Sequence, residues 1–137
     1  MVLAQVSATT VDSIGVEHVT YQQSYDDVPV FGGQIKVHRN TISGQRLTTG
    51  KTSQGNTVDV VPTVSVDEAI TIAQNLSEQS NTTVLKRNLY IFDEQLLNKL
   101  KPSQNVLVWQ IELYQEDPIF HEYYYIDAHT GELVYQI

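Results

Sequence analysis

Cysteine is absent from this 137-residue chain, which rules out disulfides, thiolate metal sites and a cysteine nucleophile. Positive charge is scarce as well: 8 Lys and Arg stand against 16 acidic residues, for a formal net charge of −8. No basic run is present, so the electrostatic footprint of a nucleic-acid binder is missing, and an anionic membrane surface would repel the chain. No apolar run approaches the roughly 20 residues that a membrane-spanning helix needs. Met1–Ala8 is too short and uncharged to be a complete secretory signal. The length is nevertheless sufficient for one domain, or two small lobes, to fold without covalent staples.

What is present is β-patterning with one helix inside it. Residues 2–13 are small and polar and read as a loose lead-in. His18 to His38, HVTYQQSYDDVPVFGGQIKVH, reads as one long hairpin turning at Asp26–Pro29. In the expected register Val19 faces Val37, Tyr21 faces Ile35 and Tyr25 faces Phe31, which makes one face apolar. Thr20/Lys36, Gln22/Gln34 and Ser24/Gly32 fall on the other face. Asn40, Gly44, Gly50 and Gly55 then punctuate short strands near Gln45–Thr49 and Thr57–Val61, and Pro62 closes the segment.

Ser65 is a good N-cap and Glu68 completes a capping box. Val66, Ala69, Ile70, Ala73 and Leu76 follow at helical spacing, predicting a helix over about 65–79. The period then returns to two. Strands are expected at Leu85–Phe92, at Val106–Tyr114 with Leu107, Trp109, Ile111 and Leu113 on one face, at Phe120–Asp127 and at Glu132–Ile137. Trp109 is expected to be buried between helix and sheet. Asp93–Lys101 reads equally as a helical turn or a strand tip. DAHTG at Asp127–Gly131 is turn chemistry, since Asp can bind backbone N–H groups and Gly takes positive φ.

Candidate chemistry fails at each place tested. His121-Glu122 opens like the zinc-protease motif His-Glu-x-x-His, but the second His position holds Tyr125 in a β-favouring aromatic run. His18 and His38 fall opposite each other in the hairpin and could supply two metal ligands, where zinc takes three or four. Asp26-Asp27 and Glu116-Asp117 lack the spaced oxygens of a calcium loop and suit turns instead. No serine sits in a nucleophile elbow, and Gly32-Gly33 reads as a bulge or a close backbone approach. Tyr123, Tyr124, Tyr125 and Tyr135 could form a stacking platform, a half-buried sheet face or a surface for a protein partner. No catalytic, cofactor-binding or metal residue is therefore expected, and no cofactor.

Two segments carry a resemblance. His18–His38, with its HVTYQQ opening and VPVFGGQIKVH return strand, resembles the fungalysin/thermolysin propeptide (FTP) domain. Val64–Ile137 resembles a PepSY domain through the capped helix VSVDEAITIAQ, the Trp-containing strand LVWQIEL, and YYYIDAHTGELVY with its closing turn. The resemblance implies an α+β fold of two small cystatin-like lobes, antiparallel sheets with one main helix. Its domains would be a flexible lead-in at 1–13, an FTP-like lobe at 14–62 and a PepSY-like lobe at 63–137.

The implied function is that of a non-catalytic propeptide, secreted or periplasmic, which inhibits a thermolysin-like zinc metalloprotease and assists its folding. The implied partner is that cognate protease domain, with no nucleic acid and no membrane insertion. In the family a further segment joins this region to the mature enzyme and carries the processing site, whereas this sequence ends after its last strand. The alternative is a stand-alone extracytoplasmic binding module built on the same lobes.

Overall fold

The computed structural model describes residues 2–51, 58–93 and 105–137. Among these residues there are eight strands and one helix. The fold is α+β, and the chain divides into two compact units, 1–57 with 93–105 and 58–92 with 106–137.

The first unit contains β1 (Val2–Val11), β2 (Val16–Tyr25), β3 (Val28–Asn40) and β4 (Arg46–Lys51). β1 pairs antiparallel with β2, β2 with β3 and β3 with β4. The segment expected as a loose lead-in is thus a strand over most of its length. Its Ser, Thr, Ala and Gln residues blur the alternation that marks a half-buried strand. It is ordered by the ladder to β2 while Val6 and Val11 stay exposed.

The β2–β3 register follows the expected pairing at His18/His38, Val19/Val37, Thr20/Lys36, Tyr21/Ile35 and Gln22/Gln34, then shifts between Gln22 and Ser24. Beyond the shift Ser24 pairs Pro29 and Tyr25 pairs Val28, replacing the expected Ser24/Gly32 and Tyr25/Phe31 pairs. The cause lies in the turn. Asp26 (φ 45°) and Asp27 (φ 66°) are both left-handed, the geometry of a tight two-residue hairpin, so Val28 pairs at once instead of lying in a longer loop. The surplus length of β3 is absorbed around Gly32 (φ 75°) and Gly33. At Gly33 a Cβ would lie 2.7 Å from Gln23 Oε1 and 3.0 Å from the Val30 Cβ. Gln22 clamps this irregularity, its Nε2 lying 2.8 Å from the carbonyl oxygens of Gln23 and Val30 and 3.1 Å from that of Gly33.

The second unit carries α1 (Val66–Ser77), β5 (Thr83–Asp93), β6 (Asn105–Gln115), β7 (Phe120–Asp127) and β8 (Leu133–Gln136), with sheet order β5-β6-β7-β8. β6 pairs antiparallel with β7, and β7 with β8. The capping box forms: the Glu68 amide donates to Ser65 Oγ (3.1 Å), whose hydroxyl donates to Glu68 Oε1 (3.2 Å). Left-handed Glu78 ends the helix. Ala69 and Ala73 are fully buried against Ile111, Leu113, Tyr124 and Ile126, so small residues let α1 approach the sheet closely. Leu76, expected on that apolar face, is instead exposed.

Trp109 packs against this core only partly buried, a correction to its expected full burial. Its ring covers the core edge, and its Nε1 donates to the Val64 carbonyl at 2.8 Å. Residues 58–61 form a loop rather than the end of the expected strand. The closing turn explains why: His129 Nε2 lies 2.8 Å from the Asp59 carbonyl, and the amides of Thr63 and Val64 donate to Ala128 O. Thr57 and 94–101, for which a strand end and a turn or strand tip were expected, lie outside the described residues.

Candidate functional site

The candidate residues fall into one cluster per unit. In the first unit, β2 and β3 place His18 and His38 directly opposite each other. Their Nδ1 atoms are 2.6 Å apart and the rings meet edge to face. His18 Nε2 lies 2.9 Å from Asp12 Oδ2, and His38 Nε2 lies 3.1 Å from Thr49 Oγ1. Asp12 sits in the β1–β2 turn, where its other oxygen accepts the amides of Ile14 (3.1 Å) and Val16 (3.0 Å). These hydrogen bonds, His18 first, hold the Asp12 carboxyl below the usual carboxylate range. The sequence-expected histidine pair is therefore joined by a direct hydrogen bond. Among the described residues no group of three or more His, Asp or Glu side chains could hold a metal ion.

In the second unit the sheet face turned away from α1 carries the other cluster. Alternation puts Gln110, Glu112 and Tyr114 of β6 on this face, opposite Tyr125, Tyr123 and His121 of β7. Glu112 is buried, 5% exposed, and its Oε2 lies 2.6 Å from His121 Nε2. A hydrogen bond from Tyr123, then the His121 contact, holds the Glu112 carboxyl low despite its burial. The same bond to Glu112 raises the Tyr123 phenol. The Tyr114 and His121 rings meet edge to face at 5.8 Å, and Phe92, Tyr125 and Tyr135 stack with centroids 5.6 to 5.9 Å apart. Gln110 Nε2 donates to the Tyr125 hydroxyl at 2.9 Å.

The tyrosines therefore do not act as one platform. Tyr124 points into the helix-side core, where burial and its bond to Glu122 push the phenol strongly up. Tyr125 is buried on the opposite face, and Tyr135 is 39% exposed.

His121 lies on a strand, so the residue four positions on, Tyr125, cannot share a helical face with it. Asp26-Asp27 forms the tight hairpin turn, and Glu116–Ile119 forms the β6–β7 turn. Asp127 Oδ1 accepts the amides of His129 (2.7 Å) and Thr130 (3.0 Å), and Gly131 follows at φ 80°. Sequence reasoning missed the Glu112–His121–Tyr123 cluster. Its only signal was polar residues inside two otherwise apolar strands, and these meet only once the strands are aligned.

The architecture is α+β, one capped helix on a meander preceded by an antiparallel hairpin unit. Comparison with known families assigns both segments. Residues 63–136 match the family described as "Peptidase propeptide and YPEB domain" (PepSY), and residues 3–41 match the "Fungalysin/Thermolysin Propeptide Motif" (FTP). The chain belongs to the PepSY family, with an FTP motif ahead of it, and domains of these kinds are generally non-catalytic.

The FTP match starts at residue 3 and so takes in β1. Among solved structures the chain resembles the Bacillus megaterium YpeB C-terminal domain at 16% identity and a TM-score of 0.52, over 98% of this chain and 55% of that one. The chain thus spans about half the length of that protein, and the likeness is one of fold. No curated protein matches. None of the described helices is long and apolar enough to cross a membrane.

Proposed function

We propose that this chain is the pro-region of a secreted thermolysin-like metalloprotease, acting as its inhibitor and folding assistant. The observation that supports this reading best is the order FTP then PepSY over 3–41 and 63–136, the arrangement expected ahead of such a catalytic domain. The proposed lobes are an FTP-like one ending near residue 62 and a PepSY-like one from 63 onward. The chain acts by surface complementarity: it binds the folded protease, or a late folding state, better than the unfolded chain and shifts the equilibrium by mass action. It needs no reacting group of its own.

A second reading, a stand-alone extracytoplasmic binding module, is favoured by one observation: the matched family includes the YPEB domain as well as peptidase propeptides. Peptide-substrate turnover by the mature cognate protease, titrated with this chain and with a version extended to the processing site, separates the two. Inhibition by both, weaker for the shorter chain, supports the pro-region. Failure of both leaves the stand-alone module.

A further inference from the structure

The histidine pair of the first unit is built from complementary hydrogen-bonding roles, and the chain of contacts fixes them. Asp12 carries a carboxylate, so His18 Nε2 at 2.9 Å must hold a proton and donate it. A neutral His18 then presents a bare Nδ1, which accepts from the protonated Nδ1 of His38 at 2.6 Å. That leaves His38 Nε2 bare, and the Thr49 hydroxyl at 3.1 Å donates to it. Every group is satisfied with both rings neutral.

One added proton is also accommodated. His18 as a cation donates from Nδ1 to His38, His38 turns its proton to Nε2 toward Thr49, and Asp12 balances the charge. A second proton is not accommodated: two N–H groups would face each other across 2.6 Å, and the cross-strand bond is lost with two like charges in its place.

The surrounding charges do not relieve that state. On the face that carries the pair, the other titratable groups among the described residues are Asp12 itself, Lys36, two positions from His38 on β3 and paired with Thr20, and, by register, Lys51 of β4, opposite Gln34. β1 presents Thr10 opposite His18, and β4 presents Leu47 opposite His38. Glu17 and Arg39 form an ion pair on the other face (3.3 Å), with Arg46 of β4 opposite Arg39.

The pair also sits where two turns are tied together. Asp12 caps the β1–β2 turn, and the Thr41 hydroxyl of the β3–β4 turn donates to the Gly15 carbonyl at 2.6 Å. These turns hold Ile14 and Ile42 out at 75% and 89% exposure.

We infer that His18 and His38 form an acid-sensitive lock on this end of the β2–β3 hairpin, which holds while the pair carries at most one extra proton and opens when both rings are cationic. The opening takes up a proton that the folded pair refuses, so the stability of this end falls with pH once that second proton is demanded. Loss of the lock frees the Asp12-capped turn with Ile14, and the Ile42 turn bonded to it.

The test is hydrogen exchange on the full chain from pH 7.5 to 4.5, read as protection factors for backbone amides of 16–20 and 36–40, in wild type, His38→Gln and His18→Gln. In the wild type the opening constant rises by up to roughly tenfold per pH unit once the second proton is demanded, and in either variant this dependence flattens. A folded variant with the wild-type pH dependence overturns the lock.

Imidazole nitrogen shifts of the wild type give a readout that needs no variant. The expected neutral state has His18 protonated on Nε2 and His38 on Nδ1. Any other tautomer pair overturns it as well.

Discussion

Trp109 Nε1 donates to the carbonyl of Val64 across 2.8 Å, tying the middle of β6 to the residue just ahead of the Ser65 helix cap. This bond joins the two layers of the second unit at the point where α1 begins, while the ring covers the edge of the core. Trp109→Phe keeps most of the ring contact and leaves the Val64 carbonyl short of a donor, for an expected loss of about 1–2 kcal/mol. Trp109→Ala also removes the packing and should cost about 2–4 kcal/mol, less than a fully buried tryptophan would. Urea unfolding followed by far-ultraviolet circular dichroism checks both, and a Trp109→Phe variant as stable as the wild type would show that the hydrogen bond contributes nothing.

Gly33 and Gly32 of β3 need glycine for different reasons. An alanine Cβ at 33 would stand 3.0 Å from the Val30 Cβ and Cγ1, branched atoms of a residue that is itself 1% exposed. Gly33→Ala should therefore destabilise by about 1–3 kcal/mol as an overpacked site. At 32 nothing lies within 4 Å, but φ is 75°, so Gly32→Ala carries only the backbone cost of about 1–2 kcal/mol. Gly32→Asn should recover part of that loss, whereas Gly33→Asn should not. Denaturant midpoints of the four variants decide the matter.

The helix cap offers a smaller and more local prediction. Ser65 Oγ accepts the Glu68 amide at 3.1 Å, so Ser65→Ala should cost about 1 kcal/mol and Ser65→Asp very little. A thermal melt in which both variants match the wild type would remove the cap from the account of α1.

The second unit should also respond to acid, through Glu112. Its carboxyl is held low by the Tyr123 hydrogen bond and then by His121. The sign follows from the direction: a carboxyl depressed in the folded state contributes stability that is present above its unfolded value, about 4.3, and is lost as pH falls through the lower folded value. Glu112→Gln should lower stability at neutral pH and converge on the wild type in acid, which flattens the acid limb of the stability curve. An unchanged acid limb would mean that the Tyr123 and His121 contacts do not stabilise the ionised form.

Much of this architecture is legible in the sequence, because alternation and capping are local codes. The helix with its Ser65–Glu68 box, the strands around Trp109 and the Asp127 turn each announce themselves within a few residues. The hairpin register is legible from His18/His38 to Gln22/Gln34 for the same reason. It fails beyond Gln22 because the tight Asp26-Asp27 turn and the glycine irregularity both require left-handed backbone whose position the apolar pattern does not fix. β1 escapes notice because its stability lies in the ladder to β2 rather than in an apolar face. The Glu112–His121–Tyr123 cluster is invisible for a third reason: its members belong to different strands, and only the β6–β7 register brings them together.

The most direct measurement of the central claim is the recovery of active enzyme when the denatured catalytic domain of the cognate thermolysin-like protease is refolded with equimolar chain supplied in trans. The account predicts a faster or fuller recovery of folded protease, held inactive until the chain is degraded or diluted. It also predicts a weaker effect than for the covalently joined pro-region, which works at an effective concentration on the order of millimolar. With a net charge of −8, the complex should form more slowly as salt is added if the protease face is basic. An unchanged refolding yield, together with undiminished turnover by the mature enzyme at excess chain, would contradict the account.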